Sequence, residues 1–255
     1  MDKLSTVIIT HNEEKNIGRC LQSVQTVADE IVVVDSHSTD MTEKICSDFN
    51  VKFIRHNFEG HIQQKNWARN QAKYDLVLSL DADEVLSSEL IDEIKKIKDV
   101  RKCDGYSFNR LTSYCGKWVR HTGWYPDTKL RLWDRTKGEW KGTNPHDRFE
   151  MQKNCTTSHI KGDILHYSYH TIGQHLNQIV KFSEISAYEN YKKGKKINML
   201  LLLFRPFFIF FKKYFIKLGI LDGYYGFVIS ALTAYGIFQK DILLREMTKK
   251  NRKQA

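Results

Sequence analysis

The sequence predicts an α/β fold built on a mainly parallel sheet. Three observations lead there. Strand-like apolar runs alternate with helix-spaced segments at the rhythm of βαβ units. Those runs are nearly continuous in apolar character, as expected of strands buried on both faces. Three of them stop abruptly at polar or acidic residues: Thr10, Asp35 and the stretch Asp81-Ala82-Asp83-Glu84. Acidic side chains cannot stay unpaired in a sheet interior, so each marks the point where its strand leaves the sheet. Right-handed crossovers put successive strand ends on one edge, and ligands of open α/β sheets bind at that carboxyl edge.

The elements follow in order. Residues 4–9 form a first strand, and Ile17, Cys20, Leu21 and Val24 then share one helical face. Glu30–Asp35 is a second buried strand. The loop Ser36-His37-Ser38-Thr39-Asp40 leads into a helix with Asp40 and Glu43 spaced as a capping box. Residues 51–54 are a short third strand and 61–73 a helix. Residues 76–80 are the strand that ends in the three carboxylates. Ser87 caps a helix whose apolar face is Leu90, Ile91, Ile94 and Ile97. From Gly105 to about Tyr169 the rhythm changes. Residues 106–110 and 129–133 alternate like strands, amid Trp118, His121, Trp124, Tyr125, Trp140, His146, His159 and His166. These aromatics suit the faces of a sugar ring, or else they close the second face of the sheet. Residues 170–193 read as a helix.

At 255 residues, with 41% hydrophobic and 27% charged residues, the chain can bury a full core, and disorder is not expected. The five cysteines are odd in number and widely spaced, without zinc-type pairs, so free thiols in a reducing cytoplasm are expected. The first residues enter a strand at once, unlike a cleaved signal peptide. The net charge of +10 is unevenly placed. Residues 192–255 hold 14 Lys+Arg against 3 Asp+Glu, a net of +11, which leaves residues 1–191 at −1. A basic nucleic-acid-binding core is therefore disfavoured, and the tail is suited to an anionic surface.

In that tail, residues 198–211 carry apolar runs split by Arg205-Pro206, well short of the ~20 residues that span a bilayer. Lysines flank them on both sides. A second stretch, Tyr224 to Phe238, also reads as too short to span comfortably, and a basic tail follows. Apolar runs with basic flanks are suited to an in-plane interfacial segment. The alternative is a helical subdomain packed on the core or in a dimer.

Two aspartates one residue apart on a rigid strand end can present oxygens to a divalent cation; the alternative is a polar loop ahead of a helix cap. Residues 7–14 (VIITHNEE), 31–40 (IVVVDSHSTD) and Asp81-Ala82-Asp83-Glu84 together resemble the inverting family-2 glycosyltransferases of GT-A fold. Gly123-Trp124-Tyr125-Pro126, Arg131-Leu132-Trp133, Pro145-His146-Asp147 and Ile164-Leu165-His166-Tyr167 resemble the bacterial β-glucosyltransferase-like branch that adds hexoses to the lipopolysaccharide inner core. The similarity covers residues 3–170 and, more loosely, the tail.

The resemblance implies a Rossmann-like nucleotide half (1–104) and a mixed acceptor half (105–190) in one GT-A domain (1–190), with a helical membrane-surface appendage (191–255). It implies that Thr10, Asn12, Glu13, Asp35, Lys65 and Asp81 line the nucleotide-sugar pocket, with Asp35 accepting a hydrogen bond from uracil. Lys65 stands where the family usually has Arg and lacks its bidentate fork. Asp83 would bind the metal directly, and His166 is either a further ligand or a core histidine. A carboxylate and imidazole set leans towards Mn²⁺ over Mg²⁺. Asp147, in place of the branch's usual Glu, would be the catalytic base, and Trp124, Tyr125, Arg131 and His146 would contact the acceptor sugar.

The expected activity is inverting, metal-dependent transfer of a hexose from a UDP-type donor to a lipid-anchored saccharide such as lipopolysaccharide core. It would take place on the inner face of the cytoplasmic membrane. The rivals are transfer to a polyprenyl phosphate and a non-catalytic nucleotide- or sugar-binding protein docked to the membrane. Nucleic-acid binding through the tail is disfavoured, because no aromatic stacking platform is interleaved with a basic groove there.

Overall fold

The computed structural model describes residues 1–143 and 146–254, with backbone alone at 143, 146 and 250–254. The chain forms two compact units. One comprises residues 1–111 and 127–167, the other residues 112–126 and 168–255.

The first unit opens with β1 (Leu4–Thr10), α1 (Ile17–Val24), β2 (Glu30–Asp35), α2 (Thr42–Ser47), β3 (Lys52–Arg55), α3 (His61–Asn70) and β4 (Leu76–Asp81). β1 pairs in parallel with both β2 and β4, and β2 with β3. Then come β5 (Glu84–Leu86), α4 (Ser88–Asp99), β6 (Gly105–Tyr114), β7 (Lys117–Val119), β8 (Asp127–Asp134), β9 (Gly138–Thr143), β10 (His146–Met151) and β11 (Thr157–Tyr169). Among the described residues the sheet runs β3-β2-β1-β4-β8-β6-β11-β5, and β9 and β10 form a separate antiparallel ribbon. The parallel half ends at β4, which pairs antiparallel with β8. The sheet is therefore mixed α/β, parallel on the side where the strand ends converge.

Alternation along the parallel strands explains why both sheet faces are covered. Leu4, Ile8, Val33, Leu76, Leu78 and Leu80 share one cluster with Ile17, Cys20 and Leu21 of α1 and Leu90 and Ile94 of α4. Val7, Val32, Val34 and Val77 point the other way, to Ala68 of α3 and to Trp133, Trp140 and Phe149. Ser87 caps α4 as expected, accepting from Leu90 N at 3.3 Å. The capping box expected of Asp40 and Glu43 does not form. α2 starts only at Thr42, Asp40 accepts from Thr42 and from Glu14 N, and Glu43 turns to Arg55 instead.

The second unit holds the ends of β6 and β11, β7, and the helices α5 (Ile172–Lys192), α6 (Met199–Phe211) and α7 (Gly223–Gln254). A capping box of Thr171 and Gln174 starts α5. Arg205 of α6 reaches both carboxylate oxygens of Asp241 on α7, at 3.2 and 3.1 Å. The sequence reading of Tyr224–Phe238 as too short to span is corrected by the helix itself. It continues through the polar residues beyond Phe238, and residues 219–249 are long and apolar enough to cross a membrane by length and composition. Buried Asp241 and its partner Arg205 lie within that packing.

At the end of β6, Tyr114 is fully buried among Trp124, Tyr169, His175 and Tyr225. Its hydroxyl lies 3.0 Å from His175 Nδ1. Burial lowers the His175 pKa to about 4. The unfolded chain therefore binds a proton more readily than the folded one, so stability is complete above the unfolded value of about 6.5. It is lost as pH falls from there to about 4, by on the order of 3 kcal/mol. Urea unfolding across this range should show that loss in the wild type and a flatter pH dependence in His175→Phe.

Candidate active site

Thr10, Asp35 and Asp81 sit in register at the ends of their strands: Thr10 pairs with Asp35, and Ile9 with Asp81. Thr10 is buried, and its hydroxyl has no partner among the described residues. Asp35 is 1% exposed and holds the loop behind it, accepting from Ser38 N at 2.8 Å and from the Ser38 hydroxyl at 2.5 Å. Asn12 sits at φ +54°, a region its side chain tolerates. It accepts from Thr39 N at 2.8 Å, while its own N–H donates to Ser38 Oγ. Burial raises the Glu13 pKa, against a lowering hydrogen bond from Asn16, and Asp83 and Asp40 raise it further.

The centre of the edge is a cluster of charges. Lys65 Nζ lies 2.8 Å from Asp147 Oδ2 and 3.1 Å from Asp81 Oδ1, and its side chain is 5% exposed. Arg131, 3% exposed, donates from Nη2 to Asp81 at 3.0 Å and to Glu84 at 2.8 Å. Glu84 has no exposed surface. Its other oxygen accepts from Asp81 N at 3.0 Å, closing the Asp81–Glu84 turn on itself. Burial alone would raise the Asp81 pKa, but Lys65 and Arg131 outweigh it and hold the carboxyl far below the usual range. For Arg131, burial opposes the charge, and Glu84 and Asp81 more than restore it.

Local structure explains how distant residues meet here. The Asn66 amide donates to Trp140 O and accepts from Trp140 N, both at 2.9 Å, so it stitches α3 to β9. Lys65, its neighbour, then passes 4.7 Å from the Trp140 ring centre towards the carboxylates. β10 pairs with β9 so that Asp147 faces Gly142. One helix and one ribbon thus carry Lys65 and Asp147 to the end of β4.

Beside this cluster, β11 pairs antiparallel with β5, setting His166 against Glu84. His166 Nε2 lies 3.1 Å from Asp83 Oδ2, and Tyr167 N donates to Asp83 O at 2.9 Å. A carboxylate and an imidazole so placed fit a divalent cation whose other positions are filled by substrate phosphates. Among the described residues no group of three or more His, Cys, Asp or Glu is close enough to hold a metal by itself.

These contacts also place the predicted sugar-contact residues. Arg131 lies beneath the carboxylates, with Nε and Nη1 lacking an acceptor among the described residues. Trp124 and Tyr125 belong to the second unit. There Trp124 packs against Tyr114, Tyr169 and His175, and Tyr125 lies under Arg120. The His146 side chain lies outside the described residues. Sequence reasoning missed Asn66 and Arg110, the latter bonded to Asp127 at 2.8 Å and 3.4 Å from Glu84. Asn66 directly follows Lys65 in the sequence, which could have pointed to the first; nothing in the sequence signalled the second.

Residues 5–169 match the model of glycosyl transferase family 2. The chain belongs to that family. It is 34% identical to an uncharacterized glycosyltransferase of Rickettsia typhi, over 99% of this chain and 90% of that protein. It is 27% identical to the lipopolysaccharide core biosynthesis glycosyltransferase LpsC of Rhizobium meliloti, over 94% and 93% of the two chains. Among solved structures, S. aureus TarS 1-349 in complex with UDP is 15% identical, with a TM-score of 0.47 and coverage of 99% and 92%.

In this family-2 chain, replacing Arg131 with Met would leave Glu84 and Asp81 buried without their shared cation. Urea denaturation should show a loss of about 3–5 kcal/mol, the cost of breaking a buried pair.

Proposed function

We propose that the chain transfers a hexose, with inversion, from a UDP-type nucleotide sugar to a hydroxyl of a lipid-anchored saccharide such as lipopolysaccharide core. It would do so at the inner surface of the cytoplasmic membrane. One observation carries the chemistry: Lys65 bridges Asp81 and Asp147 at 3.1 and 2.8 Å, next to the Asp83–His166 pair. A donor-side carboxylate and a candidate base thus share one cation. The name of LpsC, a relative along nearly the whole chain, supports the acceptor class.

In this reading the nucleotide lies along the carboxyl edge of β1, β2 and β4. The unpartnered Thr10 hydroxyl, the Asn12–Ser38 loop, Glu13 and Asp35 receive it, with Asp81 towards the ribose. Asp35 keeps lone pairs free beyond its bonds to Ser38 for a uracil N–H. Asp83 and His166 would hold a divalent cation, Mn²⁺ or Mg²⁺, which when bound supplies Lewis-acid neutralisation of the departing diphosphate.

Asp147 accepts the proton of the acceptor hydroxyl as its oxygen attacks the anomeric carbon. The new glycosidic C–O bond forms as the bond to the diphosphate breaks. The nucleoside diphosphate leaves with that electron pair. A single displacement inverts the centre and needs no second, nucleophilic carboxylate. The Lys65 ammonium orients the base through a charge-assisted hydrogen bond before the acceptor arrives. His146 would serve the acceptor sugar.

Nucleotide release from UDP-, GDP- and ADP-sugars by the purified protein tests the reading. Release from none of them overturns it in favour of a binding protein. Asp147→Asn should lower kcat by about 10²–10⁴-fold, the usual worth of a positioned base, with UDP affinity intact by calorimetry. Unchanged turnover would remove Asp147 from that role. Asp83→Ala should make UDP affinity independent of added Mn²⁺, where the wild type binds UDP more tightly with the ion than without it.

A further inference from the structure

Within the second unit, the segment Arg120–Gly123 is clamped to the turn Lys212–Asp222. Asp222, 3% exposed, accepts from His121 N at 2.9 Å and Arg120 N at 3.3 Å, and its Oδ1 lies 2.9 Å from His121 Nδ1. Lys117 Nζ donates to Asp222 O at 2.8 Å, and Thr122 N to Lys217 O at 2.9 Å. Gly219 permits the approach: a Cβ there would lie 2.8 Å from Lys213 O and 2.9 Å from Thr122 Cγ2. Gly123, at φ +77°, leaves room for the Lys213 amine, which a Cβ would meet at 3.3 Å.

The clamp engages its one carboxylate fully and leaves its cations unmatched. Arg120, Lys212, Lys213 and Lys217 have no acidic partner among the described residues. Burial lowers the Lys213 pKa, and Lys212 and Lys217 add to the lowering, a sign of accumulated positive potential. The same turn carries exposed apolar side chains: Phe215 47%, Ile216 58%, Leu218 50%, Ile220 48% and Leu221 63%. Cations without counter-ions next to apolar side chains without cover match a bilayer interface, where phosphates meet acyl chains.

We propose that this clamp is a headgroup site for an anionic phospholipid: Lys213, Lys217 and Arg120 take the phosphate oxygens while Ile216, Leu218 and Leu221 enter the acyl boundary. A soluble phosphate would use the cations and leave the apolar residues idle. The site locates the membrane attachment on which the reading above depends, and it is independent of the transfer chemistry.

Sedimentation of the full chain with vesicles tests it, using phosphatidylcholine alone or mixed with phosphatidylglycerol. The wild type should pellet with the mixed vesicles, less so at high salt, and weakly with phosphatidylcholine alone. Lys213→Gln/Lys217→Gln should bind the mixed vesicles about 30-fold more weakly, two charges at ~1 kcal/mol each. Lys217→Gln alone, at an exposed side chain, should lose about fivefold and covers the case in which the double variant fails to fold. Ile216→Ser/Leu221→Ser should weaken binding while its thermal midpoint and nucleotide release stay unchanged. Equal pelleting of wild type and variants overturns the site, as does retention of all of them through salt and alkaline washing, which would mark a spanning helix. Calorimetric binding of inorganic phosphate that needs Lys213 and Lys217, without preference for anionic vesicles, would replace the lipid by a soluble phosphate. Vesicle binding that tracks these residues in a protein releasing no nucleotide would overturn the transfer reading and leave this one standing.

Discussion

Burying charge at the end of a parallel strand is the constraint on which the first unit depends. Each ion withdrawn from water costs several kcal/mol, and only complete pairing returns it. Glu84 is fully buried and Asp81 largely so, so their counter-ions must arrive from elsewhere in the chain. Lys65 comes from α3, Arg131 from β8 and Arg110 from β6. A register slip of one residue in β8 would turn Arg131 to the opposite face and leave Glu84 in the core with only the longer contact to Arg110. The network thus ties together five elements, α3, β4, β5, β6 and β8, and it joins the parallel half of the sheet to the mixed half.

The same network divides labour among three adjacent acids. Glu84 is fully enclosed and bonded to its own turn, so it fixes the position of Asp81. Asp81 is partly open and balanced by two cations, which suits a group that exchanges a salt bridge for a ligand contact. Asp83 faces His166 outside that balance, at 3.1 Å. Three carboxylates within four residues differ in role because their surroundings differ.

The parallel half was legible in the sequence because its signals are local. Val-rich runs, acidic stops and the Ser87 cap each depend on residues close in the chain, and the strands fell within a residue or two of their expected positions. The Lys65–Asp147 bridge joins residues 82 positions apart, and no periodicity announces such a contact; only the resemblance put both residues on one list of candidates. β11 was missed as an element because its 13 residues mix Gly162, His and charged side chains, and its inner positions are filled by partial burial rather than a clean apolar face. Asp40 misled for a related reason. Its oxygens had closer donors in Thr42 and Glu14 than a capping box would supply.

In the second unit, charge burial and apolar exposure run opposite to the usual pattern. Asp222 and Asp241 are 3% and 1% exposed, whereas Phe204 and Phe207 of α6 are 66% and 75% exposed. The buried acids hold pieces of the unit together, Asp222 through three donors from one loop and Asp241 through Arg205. A segment that served only as a loose anchor would not need such joints. A helix folded this firmly still leaves its aromatic face uncovered, the kind of surface that the proposed bilayer contact would use. Water is a poor solvent for that face and a bilayer interface a good one, and joints that already fix the helices would spare the proposed contact further ordering entropy.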